Sequence, residues 1–155
     1  MSEGFTKAII RGYEEACDIG GQVDPNFVPS YNNAQAVGIT KIDTYWFPCT
    51  GSGNPCKSFA TQLAEIGNTF VANNMNIVEL WSRRKPQELI SAARASGFNF
   101  GIYSSPGEWS NIFGSLSAVL DNSVPLWFAT YDNVETTTLS TPFGGQVFRF
   151  EKVVY

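Results

Sequence analysis

A chain of 155 residues, 43% apolar and 15% charged, is long enough to bury one core, too short for two ordinary domains and too apolar to stay disordered. A formal charge of −4 with one short basic cluster, Arg83-Arg84-Lys85, excludes nucleic acid as a partner, because no stripe of cations is available to a phosphate backbone. No run reaches the roughly 20 apolar residues of a membrane span, and Met1-Ser2-Glu3-Gly4 carries neither the basic nor the apolar region of a signal peptide.

In chain order, Lys7 to Tyr13 reads as a short strand ending in turn chemistry, and Phe27, Tyr31, Ala34 and Gly38 follow at helical spacing. Ile39 to Phe47 reads as a β-branched and aromatic strand closed by Pro48, and Phe59, Leu63, Ile66 and Phe70 mark one stripe of a helix. Asn76 to Trp81 is a third strand, leading to a helix opened by Pro86 and closed by Gly97. Phe98 to Ser104 is a fourth. Ser105-Pro106-Gly107-Glu108 then has the form of a capping box, with Trp109, Ile112 and Phe113 as the apolar face of the helix it starts. Pro125 to Tyr131 is a fifth strand whose nearly unbroken apolar run suits burial on both faces, and Gln146 to Tyr155 alternates like a half-exposed strand. Alternation at this pace predicts a single α/β domain with mostly parallel strands, either a doubly wound sheet or an incomplete β/α barrel. Arg11-Gly12-Tyr13-Glu14 is no phosphate loop, which weighs against the nucleotide-binding version.

The chain has no histidine, so Ser-His and Cys-His pairs and His-ligated zinc are absent and acid-base chemistry falls to carboxylates. Ligands of β/α folds meet the carboxyl ends of the strands. Those ends carry Tyr13, Tyr45, Trp46, Phe47, Trp81, Tyr103, Trp127 and Tyr131, flat apolar faces with polar tips of the kind a sugar-binding cleft uses, although each alone is equally a core residue. From this set Tyr13, Tyr45, Phe47, Tyr103, Trp127 and Tyr131 are the expected substrate-binding residues. Glu79 and Asp132 are the candidate catalytic carboxylates, against the plainer readings of an ion-paired edge residue and a turn residue. Cys49 and Cys56 flank a turn short enough to close as a disulfide, leaving Cys17 over; three reduced thiols fit the sequence equally well.

Read in order, Ile9-Ile10-Arg11-Gly12-Tyr13, Tyr45-Trp46-Phe47-Pro48-Cys49, Gly101-Ile102-Tyr103-Ser104-Ser105 with Trp109, Pro125-Leu126-Trp127-Phe128-Ala129 with Tyr131-Asp132, and Pro142-Phe143-Gly144-Gly145 resemble the family 25 glycoside hydrolases. These are the Chalaropsis-type lysozymes, and the likeness is to the branch found in fungi, amoebae and nematodes. The resemblance implies a modified β/α barrel that cleaves the β-1,4 bond between N-acetylmuramic acid and N-acetylglucosamine, without metal or cofactor. It also implies an extracellular monomer whose partner is peptidoglycan or a chitin-like glycan. Such hydrolysis uses a pair of carboxyl groups. The family's opening Asp-Val-Ser strand has no counterpart here, and Ile77-Val78-Glu79-Leu80-Trp81 runs into Ser82-Arg83-Arg84 where the family has Asp-x-Glu. The expectation is therefore a family 25-like domain over residues 1–155 that misses the first strand and the acidic loop near 77–86. It is a lysozyme by resemblance; the alternatives are a catalytically silent glycan binder and a non-functional fragment.

Overall fold

The computed structural model describes residues 6–51, 53–82, 86–119, 123–128 and 143. The expected strand-helix rhythm is present. Strand β1 (Lys7–Glu14) is followed by β2 (Gln22–Val23) and α1 (Phe27–Ala36), then by β3 (Lys41–Trp46) and α2 (Phe59–Ala72). Next come β4 (Leu80–Ser82), α3 (Pro86–Ala95), β5 (Phe100–Ser104), α4 (Pro106–Phe113) and β6 (Leu126–Phe128).

The described strands form one sheet in the order β2-β1-β3-β4-β5-β6. All neighbours are parallel except β1 and β2. A doubly wound sheet must reverse its strand order at a switch point, whereas here β1, β3, β4, β5 and β6 lie side by side in chain order. The helices accordingly share one face. Leu63 and Ile66 of α2, Leu89, Ile90 and Ala93 of α3 and Trp109 of α4 join Trp46, Leu80, Phe100, Ile102 and Leu126 in one buried cluster. Phe27 of α1 reaches it through Phe70, with ring centroids 5.9 Å apart. A sequentially wound sheet with helices on one side is the arrangement of a partial β/α barrel, which decides between the two architectures the sequence allows.

Local chemistry explains several element ends. The Ser105 hydroxyl caps α4 by accepting from the Glu108 amide at 3.2 Å, with Pro106 at the first helical position and Gly114 closing the helix at φ 74°. Ser58 caps α2 in the same way, accepting from the Thr61 amide at 3.1 Å. Strand β4 is shorter than its apolar run suggests. The Asn76 amide donates to the Tyr31 hydroxyl at 2.8 Å and the Val78 carbonyl accepts from the Asn99 side chain at 3.2 Å, so side chains take bonds that a longer ladder would use. The antiparallel β2 was not legible in the sequence. It follows a turn in which Gly20 and Gly21 have φ of 79° and 100°, so that the chain doubles back onto β1. Gln146 to Tyr155 lies outside the described residues.

The loop after β3 is clamped twice. Cys49 and Cys56 form a disulfide with Cα atoms 5.4 Å apart, which selects the oxidised reading, while Cys17 is exposed and free. Beneath the loop, the buried Gln62 amide accepts from Trp46 Nε1 at 3.2 Å and the Cys49 amide at 3.1 Å, and donates to the carbonyls of Cys49 at 3.2 Å and Lys57 at 2.8 Å. Replacing Gln62 by leucine strands four polar groups, and each buried unsatisfied group costs about 1–3 kcal/mol less whatever water recovers. Gln62→Leu is expected to lower unfolding free energy by about 3 kcal/mol in urea titration; a loss below about 1 kcal/mol would show that the disulfide alone holds the loop.

Candidate functional site

Successive side chains of a strand point to opposite faces. On β3, Ile42, Thr44 and Trp46 alternate with Asp43 and Tyr45; Leu80 is next to Trp81 on β4; Phe100 and Ile102 alternate with Gly101 and Tyr103 on β5; Leu126 precedes Trp127 on β6. Since Trp46, Leu80, Phe100, Ile102 and Leu126 pack under the helices, Asp43, Tyr45, Trp81, Gly101, Tyr103 and Trp127 belong to the other face. Parallel register sets Tyr45 beside Trp81, Trp81 beside Gly101, and Tyr103 beside Trp127.

Trp81 is the floor of this face. It is fully buried and lies across Gly101, where a Cβ atom would stand 2.3 Å from its Cζ3. Its indole Nε1 donates to Asp43 Oδ2 at 2.7 Å, and Lys7 Nζ sits 2.6 Å from the same oxygen. Trp127 meets Trp81 edge-on at a centroid distance of 5.6 Å and Tyr103 at 4.5 Å, separations at which edge-to-face ring contacts are favourable. Tyr45, Phe47 and Tyr103 are half-buried, so they combine fixed ring positions with open surface. Asp43 Oδ1 and Trp127 Nε1 are buried with no hydrogen-bond partner, leaving acceptor and donor capacity unused on this face.

Of the expected binding residues, Tyr45, Phe47, Tyr103 and Trp127 fall at the carboxyl ends of neighbouring strands, with the Phe47 amide continuing the ladder to the Tyr13 carbonyl at 3.2 Å. Tyr13 does not join them. The register between β1 and β3 slips between Arg11 and Tyr13, so Arg11 pairs with Tyr45 but Tyr13 pairs with Trp46 and turns under the helices. There it is fully buried, and its hydroxyl donates to Glu65 Oε2 at 2.7 Å. Glu79 immediately precedes β4. It is 6% exposed and lines a cavity with Arg94, Asn99 and Ser123 at the amino-terminal ends of the strands, and the pairing of Thr44 with Leu80 sets it beside Asp43. Asp132 and Tyr131 lie outside the described residues.

Sequence reasoning passed over Asp43, the carboxylate that the fold brings beneath the aromatics. Its signal was the alternation Asp43-Thr44-Tyr45, which places an acid and an aromatic on one face two residues apart. At the rim, the Arg11 guanidinium is bonded to Asp24 and to Glu14 Oε2, the latter at 3.1 Å. The Asp24 hydrogen bond raises its pKa against an opposing effect of desolvation.

A sequentially wound parallel sheet, with the described helices on one face and aromatic residues on the other, has the architecture of a partial glycosidase-type β/α barrel. Comparisons with known proteins narrow this further. Residues 1–144 match the family model described as Lysozyme-like protein 1. The chain is 32% identical over 159 residues to Probable GH family 25 lysozyme 4 of Dictyostelium discoideum, covering 94% of this chain and 70% of that protein. It is 33% identical over 156 residues to Lysozyme-like protein 5 of Caenorhabditis elegans, covering 92% and 69% respectively. Counting factor 45-1 of Dictyostelium discoideum is 38% identical over 128 residues, covering 72% of this chain and 42% of its own length. No solved structure matches. The chain belongs to the lysozyme-like proteins of glycoside hydrolase family 25.

Two outcomes follow from these packings. Gly101→Ala drives a Cβ into the Trp81 ring and should cost about 1–3 kcal/mol, visible in urea titration together with a changed tryptophan emission; an unchanged spectrum would mean that Trp81 does not lie on Gly101. Burial, together with the Glu65 hydrogen bond and charge, raises the Tyr13 phenol above its ordinary value of 10.0. A group whose folded pKa is raised contributes stability that is complete below the unfolded value and is lost as pH climbs above it. Between about pH 10 and 11.5, the wild type should therefore lose stability more steeply than Tyr13→Phe; parallel curves in alkaline denaturation would contradict this.

Proposed function

We propose that the face carrying Tyr45, Phe47 and Tyr103 binds a peptidoglycan or chitin-like chain of β-1,4-linked N-acetylated sugars. The observation that carries this reading is the set of half-buried rings at the strand ends, Tyr45, Phe47 and Tyr103, with the buried Trp81 and Trp127 fixing Tyr103 from beneath. The apolar faces of equatorially substituted sugars stack on such rings, while phenol and indole edges offer hydrogen bonds to hydroxyls. A disulfide-closed loop next to the face is compatible with work in an oxidising, extracellular setting, and no helix among the described residues is long and apolar enough to cross a membrane.

A second reading, cleavage of the bond between N-acetylmuramic acid and N-acetylglucosamine, is favoured by family membership. Such hydrolysis needs two carboxyl groups about 5–9.5 Å apart. Asp43 is one carboxylate on the aromatic side, in contact with Lys7 and Trp81, and Asp132 is one candidate for the second. Glu79, which the pairing of Thr44 with Leu80 sets beside Asp43 on the neighbouring strand, is the other candidate.

The two readings separate in a pair of assays. Tryptophan emission titrated with chitin oligomers should change saturably, and Tyr103→Ala and Trp127→Ala should each weaken binding at least about tenfold, or 1.4 kcal/mol; an unchanged affinity in both variants would remove these rings from the site. Clearing of a bacterial cell-wall suspension by the wild type, with loss of about a hundredfold or more in Asp132→Asn, would establish hydrolysis. Saturable binding without clearing leaves a glycan-binding protein.

A further inference from the structure

The chain has four tryptophans, and three of them donate the indole N–H to an acceptor within the protein. Trp46 Nε1 gives to Gln62 Oε1 at 3.2 Å, Trp81 Nε1 to Asp43 Oδ2 at 2.7 Å and Trp109 Nε1 to the Ala118 carbonyl at 3.1 Å. Trp127 differs from them. It is 7% exposed, and its Nε1 is buried without a hydrogen-bond partner. A buried indole N–H ordinarily finds an acceptor, because a donor taken out of water without one costs the fold stability. The rings in contact with Trp127, those of Trp81 and Tyr103, offer it only the weak acceptor of a π face.

On the glycan reading, on which this assignment rests, we propose that Trp127 Nε1 selects N-acetylated sugars by donating to the acetamido carbonyl of a bound unit. The surroundings of the orphan donor fix the class of acceptor. Indole nitrogen donates and cannot accept, so the amino group of a deacetylated sugar, protonated at neutral pH and without a lone pair, gains nothing there. A hydroxyl could accept, but among aromatic rings its own O–H would lose its partner in turn. An amide carbonyl oxygen accepts and brings no donor with it, and the methyl group next to it is as apolar as the ring faces of Trp81 and Tyr103. Tyr103 controls access. It stands at the end of β5, half-buried, with its ring centroid 4.5 Å from that of Trp127, so the carbonyl reaches the indole edge by shifting a ring that is already partly in solvent. Neither Trp127 nor Tyr103 is charged at neutral pH, and the formal charge of −4 on the chain would by itself favour the cationic, deacetylated sugar. A preference for the acetylated one therefore reports the hydrogen bond.

Titration of the intact chain with chitin oligomers and with their deacetylated counterparts tests the proposal, followed by tryptophan emission and by the four indole N–H signals in a proton–nitrogen NMR spectrum. The acetylated oligomer is expected to bind at least about tenfold more tightly, and the Trp127 indole signal should move downfield as the site fills. Trp127→Phe, which keeps an aromatic ring and removes the donor, should lose most of this preference. If that variant does not fold, the wild-type spectrum still decides, with the Trp127 signal identified by its proximity to the Tyr103 ring protons. Affinity for the deacetylated oligomer equal to or above that for the acetylated one, a Trp127 signal that stays in place at saturation, or an undiminished preference in Trp127→Phe would overturn the proposal while leaving glycan binding intact. Absence of saturable binding by either oligomer would remove the glycan reading itself, and the role of Trp127 with it.

Discussion

The position of Trp81 is the constraint on which the aromatic face depends. Its indole can lie flat only because residue 101 has no side chain, and it is kept from rotating because Asp43 accepts its N–H from the neighbouring strand. Trp127 and Tyr103 then pack against a surface that is already fixed. A buried carboxylate is costly unless it is paired, and Lys7 supplies the pairing from β1. Lysine, aspartate, tryptophan and glycine thus link β1, β3, β4 and β5 through one chain of contacts. The ring order of this face follows from charge compensation beneath it.

The other side of the sheet works by different means. There the strands bury Trp46, Leu80, Phe100, Ile102 and Leu126 under the helices, and specificity comes from a few satisfied polar groups in an apolar layer. Gln62 uses both ends of its amide to hold the disulfide loop. Glu65 accepts from Tyr13 and pairs with Lys57 at 2.7 Å, tying β1 to α2 and to the residue after the same loop. The loop that rises beside Phe47 is therefore anchored from below by side chains as well as by the Cys49–Cys56 bond.

Chemistry is divided along the strands as well as across the sheet. Aromatic residues gather at the carboxyl ends, and the cavity with Glu79 and Arg94 lies at the amino ends. Glu79 and Trp81 nevertheless share one side of the sheet by alternation, and Asp43 of β3 lies beside the first and accepts from the second.

Much of the fold was legible in the residues because it rests on local rules. The alternation of β-branched runs with helical stripes, the Ser105 cap and the aromatic strand ends all depend on spacing, and the motif resemblance pointed to the right family. What tertiary structure alone decided is which face each side chain occupies. A single register slip near Gly12 sends Tyr13 under the helices while Arg11 stays beside Tyr45, because side chains alternate with period two and one displaced residue inverts all that follows. Asp43 was invisible for the same reason. In the chain it is one acid inside an apolar strand, and only when β1 and β4 flank it do Lys7 and Trp81 make its burial affordable and its position useful.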